Sequence, residues 1–91
     1  MIERILSPEE LKTELALQEK YGIDGIVVGS RLGLTILSQL LTEKKKCRFC
    51  EKTFKEILGD KDDLDNRIVH ASTHFEDDFR ATKEEIEQYF E

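Results

Sequence analysis

The sequence predicts an α+β fold that is mostly helical, and three observations carry the prediction. Helix-starting hydroxyls stand at Ser7 and Thr82, each with a glutamate three positions on. Ile36, Leu37, Leu40 and Leu41 recur at helical spacing. Between them lies a short turn, Cys47-Arg-Phe-Cys50, followed by the loosely alternating run Thr53 to Leu58 that suits a small hairpin.

In chain order, Ser7-Pro8-Glu9-Glu10 is a helix start with a mechanism. Ser7 caps, Pro8 suits the first helical position, and Glu10 closes a capping box. A helix is expected from about Pro8 to Tyr21, with Leu11, Leu15, Ala16 and Leu17 on its buried side and Gly22 as its stop. Residues 22–34 are ambiguous, because Ile26, Val27 and Val28 favour a strand while the spacing through Leu32 allows a short helix. A helix from Thr35 to about Lys45 is expected next. Thr53 to Leu58 reads either as a second strand or as a short helix carrying Phe54, Ile57 and Leu58. From about Asp62 a further helix puts Leu64, Ile68, Ala71 and Phe75 on one side. The last helix begins at Thr82 and carries Ile86, Tyr89 and Phe90, aromatics that suit a core or the seam of a homodimer.

The chain therefore divides into a helical segment over 1–45, a unit over 46–78 built around the cysteine turn, and a C-terminal helix over 79–91. The three are expected to share one compact domain. At 91 residues such a chain buries too little apolar surface to be comfortably stable alone, so a metal staple is physically reasonable.

The cysteines at 47 and 50 and the histidines at 70 and 74 are the only residues of their kinds. A Cys-x-x-Cys turn points two thiolates at one centre, and two histidines one helical turn apart point their rings the same way. Cys47, Cys50, His70 and His74 together make a tetrahedral cage for one structural Zn2+. A thioredoxin-like use would need a surrounding βαβ pattern, and haem attachment fails because Glu51 follows Cys50. With all four ligands needed to close the cage, no open position remains for water or substrate, so an enzyme is not expected.

This arrangement resembles the two-Cys, two-His zinc finger family over roughly a third of the chain, and implies a ββα unit. Phe54 stands where that family keeps its aromatic core residue. The spacing departs from the family: residues 51–69 separate the two pairs, where about 12 residues are usual. The family's core leucine falls on Arg67, so Leu64 and Ile68 are expected to take over that role. Aligned on His70, the base-reading positions of the family carry Asp63, Asp65, Asn66 and Val69. Two aspartates beside phosphates are unfavourable, and Glu76, Asp77 and Asp78 extend the acidic surface.

A second resemblance is to a helix-turn-helix, carried by Val28-Gly29-Ser30-Arg31-Leu32-Gly33-Leu34-Thr35. It implies that Gly29 lets two helices cross, Gly33 takes the turn, and Thr35 caps a recognition helix. Ser38, Gln39 and Thr42 would then meet base edges, with Arg31 and a lysine run holding phosphates. Small Lys/Glu-rich fingers of this kind also look like those of archaea and their viruses.

The formal charge is −6, unevenly spread. Residues 44–58 hold 6 basic and 2 acidic groups, while 59–91 hold 4 and 11. Lys44, Lys45, Lys46, Arg48, Lys52 and Lys55 form a basic island around the cysteine turn that reads equally as a solvated face or as a phosphate contact. Two functions follow: a small DNA-binding regulator of transcription acting on double-stranded DNA, or a zinc-stabilised interaction module whose acidic face meets a basic protein. The longest mostly apolar run, Gly25 to Leu41, is interrupted by Ser30, Arg31 and Thr35 and is too short to span a bilayer. No signal-peptide pattern opens the chain, and two cysteines spaced for metal fit a reducing interior, so a cytoplasmic protein without membrane contact is expected.

Overall fold

Ser7 opens the first helix, α1 (Pro8–Tyr21), by accepting a hydrogen bond from the Glu10 N–H, while the Glu10 carboxylate accepts one from the Ser7 N–H. Gly22 closes the helix at φ 64°, a left-handed conformation that suits glycine, and its N–H bonds the Gln18 carbonyl. The computed structural model describes residues 5–22, 25–76 and 78–91. Ile23 and Asp24 of the ambiguous stretch, and Asp77 of the acidic surface, lie outside the described residues.

Helix α1 touches the core along a narrow stripe. Leu11 is buried and Leu15 half-buried, but Ala16 and Leu17 face solvent, contrary to the expected pattern. Gln18 takes up part of that edge because its amide donates to the Gly25 carbonyl.

Ile26–Val27 forms strand β1, so the β-branched residues settle the ambiguity here. It pairs antiparallel with β4 (Arg80–Ala81), Ile26 opposite Ala81 and Val27 opposite Arg80. The chain then turns into α2 (Arg31–Glu43), which starts four residues earlier than expected because Ser30 is the cap, its hydroxyl accepting from the Gly33 N–H.

The roles taken from the helix-turn-helix resemblance therefore change. Val28 to Ser30 continues from strand β1 into a turn, where the resemblance calls for a helix. Thr35 lies inside α2 and is buried, accepting from the Leu6 N–H at 2.7 Å and donating to the Arg31 carbonyl. Gly33, expected in a turn, is instead the residue of α2 that admits the backbone of β1. A Cβ there would lie 2.3 Å from the Val28 carbonyl oxygen and 2.4 Å from that of Val27.

After α2 comes a hairpin of β2 (Lys46–Cys47) and β3 (Lys52–Thr53), with Lys46 opposite Thr53 and Cys47 opposite Lys52. Both readings of the next stretch hold in part, since β3 runs straight into a short helix, α3 (Phe54–Leu58), capped by a Thr53–Glu56 capping box. A 3₁₀ turn over Gly59–Lys61 leads to α4 (Leu64–Ser72), capped by Asp63, and the chain finishes in α5 (Lys83–Glu87), capped by Thr82. Phe90, beyond α5, forms an antiparallel bridge with Cys47.

Buried residues from every α-helix and from β1, β2 and β4 meet in one contiguous core. Ile36, Leu37 and Leu41 of α2 pack with Phe54, Ile68, Ala71, Ile86 and Phe90. No helix among the described residues is long and apolar enough to cross a membrane.

Arg67 ties α4 to α2. Its guanidinium donates to the carbonyls of Leu41 at 2.9 Å and Lys44 at 3.0 Å, lies 5.1 Å from the centre of the Phe54 ring, and pairs with Asp62. The end of α2 leaves carbonyls without intrahelical donors, and Arg67 supplies two of them. The Arg67 hydrogen bond, the main cause, holds the Asp62 carboxyl below the usual carboxylate range. Because the folded-state pKa lies below the unfolded one, this contribution is complete above the ordinary carboxylate range and disappears as pH falls through the lowered value.

Two variants test these contacts by urea unfolding of the metal-loaded chain. Gly33→Ala should lose about 1–3 kcal/mol through overpacking, although alanine is the better helix former. Arg67→Leu, which installs the residue the finger resemblance calls for, should lose about 2 kcal/mol and show a flatter acid limb.

Candidate metal centre

The hairpin places the thiols. Cys47 is fully buried in β2, and Glu51, at φ 54°, takes the left-handed position that leads from Cys50 into β3. Helix α4 places the imidazoles. It ends at Ser72, and the His74 N–H reaches back to the Ala71 carbonyl in a tighter turn, which keeps the His74 ring beside that of His70.

The four side chains converge. The Cys47 sulfur lies 3.5 Å from His74 Nε2, the Cys50 sulfur lies 3.5 Å from Nε2 of both histidines, and the two Nε2 atoms are 3.1 Å apart. All four donor atoms fall within 4.8 Å of one another. Metal–sulfur bonds of about 2.3 Å and metal–nitrogen bonds of about 2.0 Å at a tetrahedral angle would put sulfur and nitrogen about 3.5 Å apart, as observed. Cys47, Cys50, His70 and His74 can therefore hold one metal ion.

The electrostatics fit the same use. Burial, followed by the neighbouring His70, pushes the His74 pKa down and favours the neutral imidazole that a metal needs. Burial pushes the Cys47 thiol up, outweighing the Phe49 and Cys50 backbone N–H groups that bond its sulfur. A thiolate at that site calls for a cation to offset the desolvation.

An aromatic wall braces the ligands. Phe49 stacks on the His74 ring at 4.5 Å and on Tyr89 at 4.9 Å, and Phe54 meets His70 edge-on at 6.3 Å. Sequence reasoning passed over Phe49, whose place inside the Cys-x-x-Cys turn was the available signal. It also missed Tyr89 as a site residue, since only the fold brings α5 beneath the knuckle.

The residues expected to meet nucleic acid are dispersed. Arg31 begins α2 and pairs with Glu10, roughly 16 Å along the helix axis from Thr42. Gln39 and Thr42 are exposed one turn apart, and Ser38 is half-buried. Lys44 pairs with Glu87, Lys46 with Glu91, and Arg48 with Glu91. Thr42 and Lys45 line a groove of about 420 Å³ with Thr53, Lys55, Asp62 and Arg67. At the proposed reading positions of α4, Asp63 and Asn66 are engaged in the helix cap, and Asn66 also donates to the Lys61 carbonyl. Val69 remains exposed.

Cys47→Ser, or chelation of the native chain, should remove the bound metal and much of the helical signal beyond residue 46. The apparent stabilisation at stake is on the order of 10 kcal/mol. Metal stoichiometry and far-UV circular dichroism report both losses. Both imidazoles must be neutral to bind the metal and the lowered pKa of His74 favours that form, so in the metal-loaded chain metal affinity, and stability with it, should fall as pH drops through about 6.5.

No protein-family model, curated protein or solved structure matches this chain, so the reading of its site rests on its own residues.

Proposed function

We propose that the protein is a non-catalytic, zinc-stabilised domain that binds double-stranded DNA, with contacts from the end of α2 and the start of α3 rather than from the finger-like helix α4. Zinc is the ion of choice because two thiolates and two imidazoles in tetrahedral array suit it, and the four donors leave no position for a reacting water.

The observation that carries the DNA reading is the groove in which Thr42, Lys45, Thr53 and Lys55 come together. Two lysines along one groove suit a phosphodiester backbone, the Thr42 and Thr53 hydroxyls being held by the Ser38 carbonyl and Glu56, while Gln39, one turn before Thr42, can meet a base edge. Asp62 also lines this groove, but its charge is taken up by Arg67. Helix α4 is unsuited to the major groove, because its capping residues are occupied and its first turn is acidic.

A second reading, a module that captures a basic protein, is favoured by a different groove. Glu84, Glu87 and Glu91 line it, and Glu87 and Glu91 already hold Lys44 and Arg48 of the same chain.

The two readings separate in a salt titration of pooled duplexes with the zinc-loaded protein. The DNA reading expects binding at low salt that weakens steeply as salt rises, with Lys45→Gln plus Lys55→Gln flattening the slope by about 2. No binding at low salt, together with capture of a lysine-rich peptide, would replace it with the second reading.

A further inference from the structure

The residues after α5 run alongside β2, joined to it by an isolated antiparallel bridge of Phe90 with Cys47. The Lys45 and Lys46 N–H groups donate to the Glu91 carbonyl at 2.6 and 2.7 Å, the Glu91 N–H donates to the Lys46 carbonyl, and the Arg48 N–H donates to the Tyr89 carbonyl. This backbone pairing fixes where the side chains fall.

The Glu91 carboxylate receives two Arg48 N–H groups, at 2.7 and 2.9 Å, and lies 3.6 Å from the Lys46 ammonium. Arg48 also donates to the Gln88 carbonyl at 3.0 Å, and Lys44 lies 3.6 Å from the Glu87 carboxylate. Two carboxylates thus hold three cations on one edge of the metal centre.

These pairs differ from the Arg67–Asp62 clamp in their exposure. Both side chains of the clamp are about one-fifth exposed or less, whereas Arg48, Lys46, Glu87 and Glu91 each keep 43–54% of their side-chain surface in solvent and Lys44 keeps 26%. Exposed pairs of this kind contribute little to stability and are screened by salt. A guanidinium with two ammonium groups in fixed register is also a good receptor for phosphate oxygens, which take the same bonds that a carboxylate takes.

We propose that Lys44, Lys46 and Arg48 form a second phosphodiester-binding surface, covered by the Glu87 and Glu91 carboxylates, which keep a DNA backbone off it until they are neutralised or drawn away. This rests on the DNA reading above and adds a regulated contact to it. The backbone pairing of Glu91 with Lys46 stays in place, and only the carboxylates give way. The cover holds DNA affinity down, and any partner that draws Glu87 and Glu91 away raises it.

The test compares zinc-loaded chains in the same salt titration. Glu87→Gln with Glu91→Gln frees the three cations, and Glu14→Gln with Glu19→Gln makes the same change in net charge on exposed α1 positions. The first pair should bind about tenfold tighter at low salt, with a salt slope steeper by about 2 to 3, one increment for each cation released to phosphate. The control pair should change the affinity by less than about threefold and leave the slope alone. Adding Arg48→Gln to the first pair should remove about one of those increments, with bound zinc and helical signal retained. Should Glu91→Gln disturb the fold, Glu87→Gln alone, which frees Lys44, should still steepen the slope by about 1. Equal behaviour of the two double variants, against a wild-type chain that does bind DNA, overturns this proposal and leaves the DNA reading standing. Failure of every variant to bind at low salt overturns both.

Discussion

Four donor atoms can meet at one point only if two distant pieces of chain are held in register. The hairpin must present Cys47 and Cys50 on one side while α4 presents His70 and His74 from the other, with spacings set to a few tenths of an ångström. The surrounding structure meets that demand from three directions. Phe54 fills the floor between hairpin and helix, Phe49 stacks between the His74 and Tyr89 rings, and Arg67 fastens α4 to the end of α2. A finger unit standing alone would have the first of these. Here a helix from before the knuckle and a segment from after it supply the others.

That embedding accounts for the departures from the finger family. A longer link between the cysteine and histidine pairs is needed because α3 and a 3₁₀ turn occupy it, where a simple hairpin would lead straight to the helix. Arginine replaces the usual core leucine for a related reason. At residue 67 the neighbouring groups are two helix-terminal carbonyls and a carboxylate as well as the Phe54 ring, and a guanidinium can satisfy all of them while keeping its flat face on the ring. The same logic places glycine at 33. That residue is governed by the strand carbonyls of Val27 and Val28, which leave no room for a side chain.

Local chemistry was legible in the residues. The Ser7 capping box and Gly22 mark both ends of α1, Asp63 and Thr82 lie at or beside expected helix starts, and the cysteine and histidine spacings bring together the four donors that the structure joins. What could not be read was set by partners far along the chain. The pairing of Ile26 with Ala81 involves strands of two residues each, too short to announce themselves, and it depends on the intervening core. Thr35 looked like a cap because hydroxyls often are, yet its partner is the N–H of Leu6, 29 positions away. Ala16 and Leu17 looked buried because they are apolar, but α1 has only one narrow stripe to bury.

The basic island shows most plainly why charge in a sequence is weak evidence of a partner. Read linearly, Lys44 to Arg48 is a concentration of positive charge in an acidic protein. Folded, three of its four cations face Glu87 and Glu91, more than 40 positions away, so the field they project is much smaller than their number suggests. Lys45 has no ion pair among the described residues and lines a different groove, with Thr42 and Thr53. Whether such a protein attracts phosphates depends on which acidic groups the fold sets against which basic ones, and on how exposed those pairs are. Exposed pairs exchange readily with outside ions, so a surface that is neutral in the free protein can still become cationic at the moment of contact.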